Sequence, residues 1–152
     1  MLRSEAERAR SCAFYYLNKR RYTRHGLRTK LLERGYGVQA ADAVLDDLEE
    51  AGYIDDHDYA VRYIKDAVRL KQHGKQRIRA DLAQKGIPRE LADAVFDELD
   101  LDYSAPLRQL VQQRGAGLDL SDEKQKNRLV GFLIRRGYSM QEIMAAIREN
   151  TD

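Results

Sequence analysis

The chain has 152 residues, 43% of them apolar and 34% charged, with a formal net charge of +2. That apolar share excludes disorder, and no apolar run reaches membrane-spanning length. A single cysteine, Cys12, makes no intrachain disulfide, and the charged opening MLRSEAERARSC lacks the apolar stretch of an export signal, so a reducing, cytoplasmic setting without membrane contact is expected.

Apolar residues recur three and four apart, as in Leu27, Leu31 and Leu32 and in Val44, Leu45 and Leu48, so the expected fold class is all-α. The first predicted helix covers about 5–20, with Ala9, Ala13, Tyr16 and Leu17 on one side. A second carries Leu27 and Leu31 and stops at Gly35, and a third holds ADAVLDDL at 41–48. The fourth starts at Asp55 or Asp56 and runs towards His73, about 18 residues or ~27 Å. The fifth stops at Gly86, and Pro88 suits the first position of the sixth, which holds ADAVFDEL at 92–99. A shorter helix over about 104–114 is followed by the loop GAGLDLS at 115–121. The eighth stops at Gly137, and Ser139 with Glu142 forms a capping box that opens the ninth.

The two ADAV phrases lie 51 positions apart, and the same shift aligns much more. It relates Leu27 to Ile78 and Leu129, and Leu31 to Leu82 and Leu133. It relates the basic residues Arg34, Lys85 and Arg136, the glycines Gly35, Gly86 and Gly137, and the apolar Tyr36, Ile87 and Tyr138 after them. Further on it matches Ala43, Ala94 and Ala145, then Leu45, Phe96 and Ile147. This is a tandem repeat. Each glycine fits a left-handed helix stop, with a basic residue at the negative end of the helix dipole. Three three-helix repeats are expected, over 1–54, 55–102 and 103–152, joined into one extended, curved body.

Charge follows the same period. The segments 1–36, 62–89 and 103–136 carry +7, +7 and +4, while 37–61, 90–102 and 137–152 carry −8, −6 and −2. Some of this is internal pairing: Arg28 and Arg79 flank the apolar stripe, where the third repeat has Val130, and are expected in structural ion pairs. RYTRHGLRTK and RLKQHGKQRIR hold more positive charge than such pairing needs, and a basic stripe on a helical scaffold points to phosphate.

No catalytic constellation accompanies the stripe. His25, His57 and His73 have no metal-ligand spacing, the glycines fall singly rather than in a phosphate loop, and DDLEEAGYIDD lacks the alternating ligands of a calcium loop. Cys12, beside Ala13, Phe14 and Tyr16, reads as a packed thiol, and Tyr15 and Tyr22 are the candidates for stacking on bases.

The stretches RYTRHGLRTKLLERGY, VLDDLEEAGYIDDHDYA and KQHGKQRIRADLAQKGI together resemble the RecX family of recombination regulators. The resemblance runs from about residue 8 to 148; GYIDD followed by Tyr59–Ala60, and RIRADLAQKGI, are its most specific parts. NRLVGFLIRRGYSMQEI fits the family's tail, whereas GAGLDLS resembles nothing diagnostic. The resemblance implies a bacterial cytoplasmic protein of tandem three-helix repeats without cofactor, metal or catalytic activity. It implies a partner, the RecA recombinase filament with its single-stranded DNA, in whose groove such proteins lie and whose ATPase and strand exchange, and hence DNA repair and SOS response, they restrain.

The binding residues are argued from charge alone. Arg20, Arg21, Arg24, Lys30 and Arg34 are favoured in the first repeat and Arg69, Lys71, Lys75, Arg77 and Lys85 in the second, with Arg135 and Arg136 extending the set. Asp46, Asp47 and Glu50 are the acidic candidates for facing a basic protein partner. A monomer with weak direct DNA binding is expected. The rival readings are a direct DNA-binding protein and an adaptor for another protein; against the first, the helices in reading position carry acids that phosphate would repel.

Overall fold

The computed structural model describes residues 3–151, and among them every regular element is helical. In chain order these are α1 (Glu5–Leu17), α2 (Arg24–Glu33), α3 (Val38–Glu50), α4 (Asp56–Arg69), α5 (Lys75–Gln84), α6 (Arg89–Leu99), α7 (Ser104–Gly115), α8 (Glu123–Arg135) and α9 (Met140–Thr151). The helices α3, α6 and α9 begin 51 residues apart, each preceded at the same offset by Gly37, Pro88 or Ser139.

Three helices end as the glycine period requires. Gly35, Gly86 and Gly137 have φ of 92°, 85° and 105°. In each case the following N–H reaches back across the turn: Tyr36 to the Leu31 carbonyl at 3.2 Å, Ile87 to Leu82 at 2.9 Å and Tyr138 to Leu133 at 3.2 Å. This is the six-to-one bond of a Schellman stop, in which a side chain at the glycine would meet left-handed strain. The Ser139 hydroxyl accepts from the Glu142 N–H at 3.1 Å while the Glu142 carboxylate accepts from the Ser139 N–H at 2.8 Å, so the capping box is reciprocal.

Three boundaries differ from expectation. α1 ends at Leu17 rather than near 20, releasing residues 19–22 into a turn before the Thr23 cap of α2. α4 ends at Arg69, a length of 14 residues or about 21 Å. Its apolar stripe suggests a run to His73, but Gln72 turns left-handed (φ 55°) and the His73 N–H closes back onto the Ala67 carbonyl at 3.0 Å. Pro88 sits one place before α6, as the residue whose carbonyl takes the first helical bond from Ala92 at 3.0 Å.

The described chain packs as two compact units. The first holds residues up to Val61 with Leu82–Ala92, the second Arg62–Asp81 with the residues from Asp93 onward. In the first unit Ala9, Leu27, Leu31, Ala41, Leu45 and Leu48 are fully buried, and Cys12 lies half-buried against them. In the second, Leu107, Leu110 and Val111 pack with Leu129, Leu133, Tyr138 and Ile143. Burial follows the repeat more closely than identity does. Ala41, Ala92 and Ile143 are equivalent and fully buried, whereas Ala43 and Ala94, shared by the two ADAV phrases, are exposed.

A joint recurs with the same period. In the first unit the Thr23 hydroxyl at the start of α2 donates to the Lys85 carbonyl at 2.6 Å, and His25 lies so close to Gly86 that a Cβ there would stand 2.1 Å from the His25 Cβ. In the second unit the Gly74 and Gln76 N–H groups at the start of α5 donate to the Arg136 and Gly137 carbonyls at 2.9 and 3.1 Å. A Cβ on Gly137 would stand 2.4 Å from the Arg77 Cβ. In both joints a helix start donates to carbonyls left open at another helix end, through a capping hydroxyl in the first and through backbone N–H groups in the second. The buried Tyr138 hydroxyl adds a bond to the Gln72 carbonyl at 2.8 Å, and burial pushes its pKa up to about 12.

Candidate nucleic-acid interface

The turn released by the early end of α1 presents Arg20 and Arg21, with Tyr22 behind them. Arg20 lies over the Tyr22 ring at 4.2 Å, and Arg21 pairs with Asp58 of α4 at 2.7 Å. Behind this turn is a cleft of about 310 Å³, lined by Arg20, Arg21, Lys30 and Lys85 together with His25, Thr29, Tyr22 and Tyr59, and by no carboxylate. A second cleft of about 370 Å³ shares Arg20, Arg21, Tyr22 and Tyr59 with it and is lined also by Phe14, Tyr53, Asp55 and Asp58.

Other cations of the first unit are committed to neighbours. Arg24 bridges Asp46 at 2.8 Å and Glu49 at 3.3 Å; burial opposes its charge, but those bonds hold its pKa above the ordinary arginine value. One basic and one acidic candidate therefore neutralise each other. Arg34 donates to the Tyr16 hydroxyl at 2.8 Å, which raises its pKa. Lys30 is 3.9 Å from Glu33, a loose contact that leaves it on the cleft wall. Asp47 and Glu50 are exposed on α3.

In the second unit the candidates also divide. Arg136 donates to the Lys71 carbonyl and lies over Phe132, while Arg77 donates to the Arg135 carbonyl at 3.3 Å and is 3.4 Å from Asp81. Both belong to the joint. The Lys75 ammonium sits above Tyr103 at 5.2 Å and Phe96 at 5.6 Å, and Lys71 lies 5.7 Å from the Tyr63 ring. Arg69 and Arg135 are exposed at the C-terminal ends of α4 and α8, where a positive charge suits the helix dipole. The basic stretch RLKQHGKQRIR thus supplies both structural and exposed charge.

The pairs assigned to structure are present: Arg28 to Asp42 at 2.8 Å, and Arg79 to Asp93 at 3.0 Å. Both partners recur 51 residues on, and the third repeat replaces them with Val130 and Met144, which pack on its core. Buried His73 beside the joint has its pKa lowered by burial first and then by Arg77 and Arg136, and its Nδ1 finds no hydrogen-bond partner.

Thr23, His25, Gly26, Thr29, Tyr59 and Gln84 are the cleft residues that sequence reasoning missed. Tyr59 lies 37 positions after Tyr22, and no periodic signal brings them together. Among the described residues no group of three or more His, Cys, Asp or Glu could hold a metal ion, and no helix is long and apolar enough to cross a membrane.

The sequence matches the three RecX three-helix domains in order: the first over residues 9–48, the second over 55–95 and the third over 107–147. Regulatory protein RecX of Pelodictyon phaeoclathratiforme is 30% identical over 151 residues, which covers 97% of this chain and 92% of that one. Regulatory protein RecX of Trichlorobacter lovleyi is 36% identical over 133 residues, covering 83% and 84%. The crystal structure of RecX from Lactobacillus salivarius shares the fold at a TM-score of 0.78, with 21% identity and 95% and 96% of the two chains covered. A second structure, titled regulatory protein RecX, does so at 0.83, again 21% identical, covering 95% of this chain and 73% of that one. With all three of its helical domains matched in order and full-length relatives at this identity, the chain belongs to the RecX family of regulatory proteins.

Proposed function

We propose that this chain is a non-enzymatic, cytoplasmic regulator that binds the RecA–DNA filament as a monomer and restrains its ATPase and strand exchange. The three repeats are read as 1–54, 55–102 and 103–152. The observation that carries the reading is the match to all three RecX domains, whose relatives are named regulatory proteins. The charge placement supports it. Exposed cations at Arg20, Arg69 and Arg135, with half-buried Lys30 and Lys85 on the cleft, suit phosphate, while exposed Asp47 and Glu50 suit a basic protein surface. A ligand that is part nucleic acid and part protein uses both signs of charge. A bare duplex uses only one, and α3 in the reading position would present its acids to phosphate.

The test compares capture by RecA filaments assembled on single-stranded DNA with capture by bare DNA and by free RecA, alongside RecA ATP hydrolysis. Preferential binding to filaments, with hydrolysis reduced, is expected. Equal binding to bare and coated DNA would transfer the reading to a direct DNA binder, and nucleotide hydrolysis by the chain itself, abolished by one substitution, would overturn the non-enzyme part.

A further inference from the structure

We propose that the first unit holds a single-nucleotide site astride the 20–22 turn, with a backbone phosphate among Arg20, Lys30 and Lys85 and the adjoining base against Tyr22 and Tyr59. The proposal rests on the reading that this chain meets DNA, and narrows that contact to one place and one chemical class: an unpaired nucleotide of a single strand.

Two adjacent clefts share a wall and differ in net charge. The one of about 310 Å³ has cations and no carboxylate on its lining. The one of about 370 Å³ combines the aromatic rings of Phe14, Tyr22, Tyr53 and Tyr59 with a more polar exposed lining, in which Asp55 and Asp58 balance the arginines it shares with its neighbour. Arg20, Arg21, Tyr22 and Tyr59 line both. An anion is therefore drawn to the first cleft, whereas the second, with its charges balanced, offers ring faces and polar edges to a flat uncharged group. A nucleotide carries these two groups joined together. Each cleft lies at the small end of ligand sites, which span about 300–1,000 Å³, a scale suited to one nucleotide rather than a folded element. The side chains are also partly set in place: Arg20 lies on Tyr22 at 4.2 Å, Asp58 holds Arg21 at 2.7 Å, and Tyr53 stands 56% exposed at the aromatic end, edge-on to Phe14 at 4.9 Å between centroids.

The start of α2 borders the basic cleft, but two of its N–H groups are already occupied. Arg24 donates to Asp56 at 2.9 Å and Gly26 to the Thr23 hydroxyl at 3.0 Å. The attraction is carried by side-chain cations rather than by the helix end. An acidic peptide fits less well, because its second carboxylate would enter the cleft that holds Asp55 and Asp58.

The experiment titrates the ¹⁵N-labelled full chain, at low salt and without recombinase, with a short oligothymidylate, inorganic phosphate or polyglutamate. Oligothymidylate is expected to shift the amides of the 20–30 segment, Tyr59 and Lys85, and phosphate to shift those of the basic cleft alone, more weakly. Lys30→Glu with Lys85→Glu should reduce oligothymidylate affinity by about tenfold or more, and Tyr59→Leu by about tenfold with phosphate binding unchanged. Lys124→Glu on α8 should change it by less than about twofold. If Tyr59→Leu lowers the melting temperature, the wild-type shift map decides. Shifts centred elsewhere, no shifts, equal or tighter polyglutamate binding, or full affinity in a folded Tyr59→Leu chain would each overturn the site. Filament capture by a wild-type chain that ignores oligothymidylate would overturn this site alone, whereas loss of filament preference would overturn the functional reading alone.

Discussion

The three stop glycines are alike in sequence and in φ, yet their substitution should have unequal consequences. A Cβ added at Gly35 would meet nothing within 4 Å, whereas at Gly86 that atom would stand 2.1 Å from His25 and at Gly137 2.4 Å from Arg77 and 2.5 Å from its backbone nitrogen. Gly35→Ala therefore meets only left-handed strain, about 1–2 kcal/mol, reduced by the smaller freedom of alanine in the unfolded chain, about 0.4–1 kcal/mol. Gly86→Ala and Gly137→Ala add the displacement of a packed helix start, about 1–3 kcal/mol by the usual cost of overpacking. Gly137 is the more demanding, since its neighbours include the Arg77 nitrogen and the Gly74 carbonyl, backbone atoms that no rotamer change can remove. Thermal melting by far-UV circular dichroism reads this out. At about 2–4 °C per kcal/mol for a chain of this length, Gly35→Ala should lose about 2–4 °C and Gly137→Ala about 6 °C or more. Asparagine sharpens the comparison, because it tolerates left-handed backbone: Gly35→Asn should be nearly silent and Gly137→Asn as harmful as alanine. Equal losses at the two positions would refute the joint as a close backbone contact and leave only the helix stop.

Further expectations concern charge and pH. Arg28→Val with Asp42→Met, which brings the third repeat's apolar pair into the first, should melt no lower than Arg28→Val alone, because the single change leaves Asp42 without the partner that lowers its pKa. His73, whose folded pKa lies below its ordinary 6.5, favours the unfolded state once protonation begins. The wild type should accordingly lose melting temperature as pH falls below about 6.5, with His73→Phe losing less; identical pH profiles would refute this. Reversal of Asp47 and Glu50 to lysine should weaken filament capture if those acids face basic recombinase surface; a pure DNA binder would instead bind more tightly. A DNA-only ligand with six phosphate contacts would show a log–log salt slope of about −4 on single strands, and a shallower slope is expected for filament capture.

The fold is legible in the sequence because its determinants are local and repeated. Leu27, Ile78 and Leu129 are all buried, as a helical stripe demands, and the glycine period alone locates three helix ends. What escapes is the joint. His25 and Gly86 lie 61 positions apart and belong to different repeats, so a shift of 51 does not relate them. The same holds at the ends of α1 and α4: periodicity continues past both, but the stop at α4 depends on a non-glycine residue, Gln72, in a left-handed turn that the second unit holds through the Tyr138 hydroxyl. Exposure of Ala43 and Ala94 shows the limit of reading identity as burial, since both copies keep an alanine where neither packs.

The candidate surface is legible only as a sum. Counting charge along the chain places Arg20, Arg24 and Arg34 in one class, because a net-charge window does not see side-chain direction. In the folded unit they have three different environments. Arg24 is joined to Asp46 and Glu49, Arg34 to a tyrosine hydroxyl, and Arg20 lies on a ring at the lip of a cleft. The distinction matters for any charge-reversal test. Arg77→Glu would place a carboxylate beside Asp81 and the Arg135 carbonyl, and Lys75→Glu would bring one over the Phe96 and Tyr103 rings; lost binding after either change would partly report a damaged joint or core. Arg20 and Lys30 are cleaner probes, since neither belongs to a joint and both border open space. If restraint of the filament depends on phosphate contact through the first unit, reversing those two should lower filament affinity while leaving the melting temperature unchanged. If it depends on the second unit instead, Arg69→Glu with Lys71→Glu should do so and the first pair should not. Loss of binding only when melting also falls would mean that the basic segments serve the fold alone.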